Sequence, residues 1–351
     1  MQVTRNNHFV PQSYLKRWAD KDSLLWNYQL LVSHDAVKPW KQSPVRGLAC
    51  KKDLYTSMQD EEENDEFEKR IKDEFEDPAL KAFDRVISGK ELTVTDWERL
   101  ALFALAQDLR TPQSYYKWKI KKERWEPESP DRFKRICDKV ILRRKEHRES
   151  GQPFPESATN PDAIPFPSTV KVKIDKLVNS DKPKMGVGMS YLPARKEWLH
   201  DIYNTLTGWV SEKVITHSWS IFEPADGFEW FTSDNPVVLM NYYGDRYDLE
   251  GGWGVCDGNI LMPLSPRHLL FTQIGSKFSP RLKLDSNKTH SICTAIAQNA
   301  HRIIFASKPT PYIEELRTRV VDQKAFDDEK KARIDWHSEQ TAAQNQYDSS
   351  E

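Results

Sequence analysis

The order of elements along the 351 residues predicts an α+β fold, with a helical first half packed on a mainly antiparallel sheet formed largely by the second half. Three observations carry this. Apolar residues between 66 and 110 recur at helical spacing; from residue 217 onward short aromatic and β-branched runs are separated by turn residues; and the two kinds of element are segregated, unlike the alternation of a doubly wound parallel sheet.

In chain order, Leu24–Tyr28 reads as a strand, with residues between Val45 and Tyr55 returning as its neighbour. An acidic run, Asp60 to Asp65, opens a helix in which Phe67, Ile71 and Phe75 form one apolar stripe, and Pro78 ends or kinks it. Leu80, Phe83, Val86 and Ile87 continue the pattern to Gly89, a C-cap. Thr95-Asp96-Trp97-Glu98 fits a capping box for the next helix, which Arg110-Thr111-Pro112 stops. Residues 117–148 carry 13 Lys or Arg against 6 Asp or Glu, a local charge of +7 on a helical region.

Five prolines between 153 and 167 mark a loop or linker, and a helix resumes near Pro193 with Trp198, Ile202, Leu206, Trp209 and Val210. Trp219–Phe222 and Phe228–Thr232 flank Pro224-Ala225-Asp226-Gly227, a hairpin signal; Ile260–Leu264 and His268–Ile274 flank a second. A helix over Asn287–Ala300, a strand at Arg302–Phe305, a helix from Tyr312 and a frayed polar tail after Ser338 complete the chain. The organisation is thus strands and basic helices in 1–150, a proline-rich segment in 151–190, a helix and antiparallel sheet in 191–338 and a tail in 339–351, within one integrated domain.

Composition narrows the class. A mean hydropathy of −0.74 is very polar, yet 12 Trp, 12 Tyr and 15 Phe argue for a packed core. No apolar run is long enough for a membrane span, and the start lacks the apolar stretch of a signal peptide, so a cytoplasmic protein is expected. Cys50, Cys137, Cys256 and Cys293 are widely separated, so reduced thiols are expected rather than bridges or zinc ligands. No histidine stands four residues from another, no metal is assigned, and no cofactor is named. Gly251-Gly252-Trp253-Gly254 precedes no helix and reads as a loop. Arg195 and His200 have the spacing of a helical nuclease motif, one that chance supplies easily.

Three polar clusters sit where elements end among apolar residues: His8 through Trp18, Gln107 through Pro112, and Thr232 through Pro236. They resemble the signatures of a widespread uncharacterised bacterial family (domain of unknown function four-two-three-eight), an N-terminal H-[FY]-V-P-Q-x-Y-L, a middle R-T-P and a later S-D-N-P. The resemblance spans roughly residues 6–306 and names no reaction. Ser13 stands where an aromatic residue is commoner in that pattern.

The chemistry is read from the residues. His8 suits a general base or acid, since imidazole titrates near neutrality. Arg110 suits a phosphate or carboxylate clamp and Asp234 a carboxylate that orients His8 or binds a metal, with Gln107, Ser233 and Asn235 as substrate contacts. The expected function is an intracellular bacterial enzyme acting on nucleic acid or a nucleotide, of hydrolase type; the kind of family suggests a defence-type effector nuclease. The alternatives are a binding module that docks nucleic acid or an acidic protein through Lys121, Lys122, Arg135, Arg143 and Arg144, and a scaffold whose polar clusters are structural: Ser-Asp-Asn-Pro is a strong turn sequence, and an Arg at a helix end satisfies free carbonyls.

Overall fold

A computed structural model describes residues 4–59, 62–123, 171–176, 185–190, 194–243 and 246–348. The chain opens with β1 (Asn6–His8), α1 (Gln12–Leu15), β2 (Leu24–Gln29), β3 (Leu31–Val32), β4 (Trp40–Pro44), β5 (Cys50–Lys52), β6 (Ser57–Gln59) and β7 (Glu62–Asn64). Then come α2 (Glu66–Ile71), α3 (Asp77–Ile87), α4 (Val94–Leu109), α5 (Pro112–Glu123), β8 (Lys171–Lys176), β9 (Met185–Ser190), α6 (Ala194–Thr207) and α7 (Trp209–Val214). The second half holds β10 (Ser220–Glu223), β11 (Thr232–Ser233), β12 (Val238–Tyr242), β13 (Tyr247–Asp248), β14 (Asn259–Ser265), β15 (His268–Gln273) and β16 (Arg281–Lys283). It ends with α8 (Ser286–Asn299), β17 (Ile303–Ala306), α9 (Pro311–Leu316), β18 (Val320–Val321) and α10 (Gln323–Asp348). The fold is α+β.

Two sheets organise it. Six strands run in the order β13-β12-β14-β15-β10-β16, and four in the order β11-β17-β2-β4, so the N-terminal strands complete a sheet begun near the C-terminus. Side-chain alternation assigns each face of the six-stranded sheet. Ile221, Ile260, Met262, Leu264 and Leu270 enter the core shared with α1, α3, α4 and α6. Their neighbours Phe222, Leu261, Leu269 and Phe271 face a second core with Ile292, Cys293 and Ile296 of α8 and Ile304 of β17. All seven residues of β14 are therefore buried, the expected state of a central strand covered on both sides. Burying each such aliphatic side chain contributes about 1.5–3 kcal/mol.

The helices carry clear local signals. The α4 capping box begins at Thr93, two residues earlier than the sequence suggests: Asp96 N–H donates to Thr93 Oγ1, and the Asp96 carboxylate accepts from Thr93 N–H. Gly89 adopts φ +70° beyond α3, the left-handed conformation expected of a residue closing a helix. Between α2 and α3, residues Lys72–Glu76 form a π-helical turn, so Pro78 sits in the first turn of α3 and the helical path continues through the acidic segment.

Several expected neighbours differ. The hairpin at β14–β15 forms, but the one across Pro224–Gly227 does not: β10 pairs with β15 and β16, whereas β11 pairs with β17 in the other sheet. Residues 224–231 are instead drawn across the β14–β15 turn, where Trp230 N–H donates to the Pro266 carbonyl. Residues 45–55 do not return beside β2, whose partners are β4 and β17; β5 pairs with β1. The acidic run holds β7 before any helix begins. The segment after Ser338 continues α10 to Asp348. Gly251 lies against β12, where a Cβ would meet the Met240 amide nitrogen at 2.5 Å. Cys50, Cys256 and Cys293 are free thiols; Cys137 and most of the basic and proline-rich stretches, 124–170, lie outside the described residues. Among the described residues no helix is long and apolar enough to cross a membrane.

Candidate functional site

The N-terminal cluster is held from both sides. Phe9 and Val10 N–H both donate to the carbonyl of Ala49, itself at φ +46°, an uncommon conformation for a residue with a Cβ. Pro11 starts α1, whose Tyr14 and Leu15 are buried. The Tyr14 hydroxyl donates to the Pro263 carbonyl (2.6 Å) and lies 2.7 Å from Thr232 Oγ1, while Trp18 Nε1 donates to the Trp230 carbonyl (2.8 Å). Segment His8–Trp18 is thereby fixed to the strand that precedes Ser233-Asp234-Asn235-Pro236.

The middle cluster joins both. Gln107 Nε2 donates to the Phe9 carbonyl, and Thr111 Oγ1 donates to Asn235 Oδ1 at 3.3 Å. Arg110 caps the C-terminus of α4 with a side chain 1% exposed. Its Nη1 donates to Glu76 and its Nη2 to Gln107 Oε1 (3.4 Å), while Nε is buried with no partner among the described residues. Burial opposes the charge on Arg110, but Glu76, Tyr55 and Glu68 together outweigh it and raise the guanidinium's proton affinity. The Arg110 carbonyl accepts from the Tyr55 hydroxyl at 2.6 Å.

His8 ends β1, opposite Cys50, half-buried. Its Nε2 lies 3.1 Å from the Arg46 carbonyl; a carbonyl can only accept, so Nε2 is the donor in this contact. Burial holds the imidazole below its ordinary value, and Arg110 adds to this. The Arg46 and Asn6 carbonyls and Glu76 act in the opposite direction without overcoming it. Beneath it, buried Asn7 donates to Glu68 (2.5 Å) and accepts from Tyr55 N–H (3.0 Å), and the His8 backbone also bonds to Glu68. Burial raises the Glu68 carboxyl, with Glu76 adding to the effect. Glu68, Asn7, Tyr55, Arg110 and Glu76 thus frame His8. Sequence reasoning did not reach Glu68 or Glu76, which sit in an acidic helical stretch where nothing local sets them apart.

The third cluster is engaged differently. The Asp234 carboxylate accepts from the backbone N–H of His301 and Arg302, both at 2.9 Å. Burial pushes its carboxyl up to about 6, against these bonds and one from Ile303. Asn235 Nδ2 donates to the Asn299 carbonyl, and Asn299 Nδ2 returns bonds to the carbonyls of Asn235 and Val237. Ser233 Oγ accepts from Asn235 N–H. Asp234, Ser233 and Asn235 therefore clamp β11 to the α8–β17 connection, and the contact they make with the His8–Arg110 group runs through Asn235 and Thr111. His8, Arg110 and Gln107 are brought together; the Asp234 carboxylate is turned to the α8–β17 backbone.

Of the proposed nucleic-acid contacts, Lys121 is exposed on α5 and Lys122 follows it on that helix; Arg135, Arg143 and Arg144 lie outside the described residues. Arg195 is buried and donates to His337 Nδ1 (3.1 Å), whereas His200 accepts from Asn204 (3.0 Å) one turn along α6. Among the described residues no group of three or more His, Cys, Asp or Glu is placed to hold a metal ion.

No curated protein and no solved structure matches the chain. A family model does, over residues 6–310, a span that takes in all three clusters and both sheets. The chain belongs to the family described as Protein of unknown function (DUF4238).

Proposed function

We propose that the chain is a hydrolase acting on a nucleotide or nucleic acid, with His8 as general base. The observation that carries this reading is the half-buried His8 ring, held by its Nε2 on the Arg46 carbonyl and set in the field of the buried Arg110–Glu76 pair; burial there favours the neutral imidazole. A ring that is neutral at pH 7 accepts a proton from an attacking water or hydroxyl. Arg110 is too deeply buried to touch a substrate. It is a positioning residue that holds Glu76 and Gln107, and through Gln107 the Phe9 carbonyl next to His8. Asp234 keeps β11 in place rather than orienting His8.

The test is turnover of single-stranded DNA, RNA and free nucleotides, with and without Mg²⁺, by wild type and by His8→Gln. The expected result is hydrolysis of one class and a loss of about 10²–10⁴-fold in the variant, with unchanged melting temperature. Equal rates in the two proteins would overturn the role of His8. A second reading, a module that binds nucleic acid through α5 and the basic stretch after it, is favoured by Lys117 and Lys121 lying exposed beside Tyr116, which is 40% exposed. Salt-sensitive binding without turnover would select it.

A further inference from the structure

Arg46, whose carbonyl bonds the His8 ring, also lines an open groove of about 380 Å³, within the range of small-molecule sites. One wall is polar, formed by Gln12, Lys16, Asp22 and Arg46; Leu24 and Pro44 give an apolar side. The polar wall follows from the two faces of α1. Tyr14 and Leu15 turn into the core, so Gln12 and Lys16, four residues apart, share the opposite face and look into the groove. Arg46 belongs to both places. Its carbonyl holds the His8 ring at 3.1 Å, and the residue, exposed to solvent, lines the groove.

The charges are unbalanced. Lys16 and Arg46 are exposed, and among the described residues neither side chain has an ion-pair or hydrogen-bond partner; with Asp22 as the lining's carboxylate the groove carries a net charge of +1. An Arg and a Lys facing one space are the pair that phosphate oxygens use, the guanidinium bidentately and the ammonium as a point charge. The apolar side suits a sugar or base.

We infer that this groove is a phosphate-binding subsite for a mononucleotide unit, with the phosphate on Lys16 and Arg46 and the nucleoside against Leu24 and Pro44, joined to His8 through Arg46. The assignment rests on the reading of His8 given above, from which it takes the substrate class. Arg46→Ala keeps the carbonyl that holds His8, so the side chain's role is separable from the ring's position.

The experiment is calorimetric titration of the full chain with AMP and with inorganic phosphate. Wild type should bind AMP more tightly than phosphate. The Lys16→Ala/Arg46→Ala variant should bind AMP at least about tenfold more weakly, the scale of a lost charge-assisted bond, with an unchanged melting temperature; Lys16→Gln/Arg46→Gln should behave alike. His8→Gln should bind AMP as wild type does. AMP binding that is absent from wild type, or unchanged in both double variants, would overturn the subsite, and phosphate bound as tightly as AMP would overturn the nucleoside contact. If His8→Gln keeps full turnover while the double variants lose binding, the role of His8 fails and the subsite stands.

Discussion

Glu76→Ala is expected to lower the stability of the fold by about 3–5 kcal/mol, the cost of leaving one partner of a buried ion pair uncompensated. Arg110 is 1% exposed and Glu76 16%, so water cannot replace the missing carboxylate on Arg110. Arg110 already has one buried nitrogen without a partner, and its Nη2 contact with Gln107 is long at 3.4 Å. Removing both charges differs from removing one. Glu76→Leu combined with Arg110→Met should recover most of the loss, because apolar side chains of similar volume need no solvation. Urea denaturation of the two variants decides it: a single variant within about 1 kcal/mol of wild type would show that the pair is not buried in effect.

Asp234→Ala is the second large effect, at about 2–6 kcal/mol. Two part-buried backbone N–H groups, those of His301 and Arg302, lose their buried acceptor, and each orphaned donor costs up to about 1–3 kcal/mol. This separates Asp234 from His8, whose replacement is expected to leave the melting temperature in place. The β11–β17 pairing should loosen with it, because the lost carboxylate bonds hold the residues that enter β17, although the backbone N–H at 234 still donates to the Ile303 carbonyl. Hydrogen exchange at residues 301–305 would report the loosening; protection unchanged from wild type would refute the clamp.

What was legible in the sequence follows from the range of the interactions. The α4 helix and the β14–β15 hairpin are set by contacts between near neighbours: a cap three residues long and a two-residue turn between apolar runs. The Pro224–Gly227 turn carries equally good local signals, but tertiary contacts draw its second arm toward β17, where Thr232 pairs with Phe305 and Ser233 with Ile304. The pairing of β1 with β5 joins segments of three residues each, too short for a pattern. In the site, the three clusters are visible because each joins a turn-forming residue to polar ones. Glu76 is not, because its value lies in Arg110, 34 residues on, and an acidic helix offers many equivalent carboxylates. Asp234 was legible as a residue of consequence, and its turn chemistry describes its actual work better than catalysis does.

The environment of His8 sets the proton affinity of its ring, and NMR titration of that ring reads it directly. In wild type the His8 resonances should titrate below the ordinary imidazole value of 6.5, because burial and Arg110 outweigh the carbonyls and Glu76 that favour the charged ring. Glu76→Gln keeps an acceptor for Arg110 while removing the negative charge, so the midpoint should move lower still. A ring that titrates at or above 6.5 in wild type, or does not respond to Glu76→Gln, would contradict the claim that this pair and the surrounding burial set the proton affinity of His8.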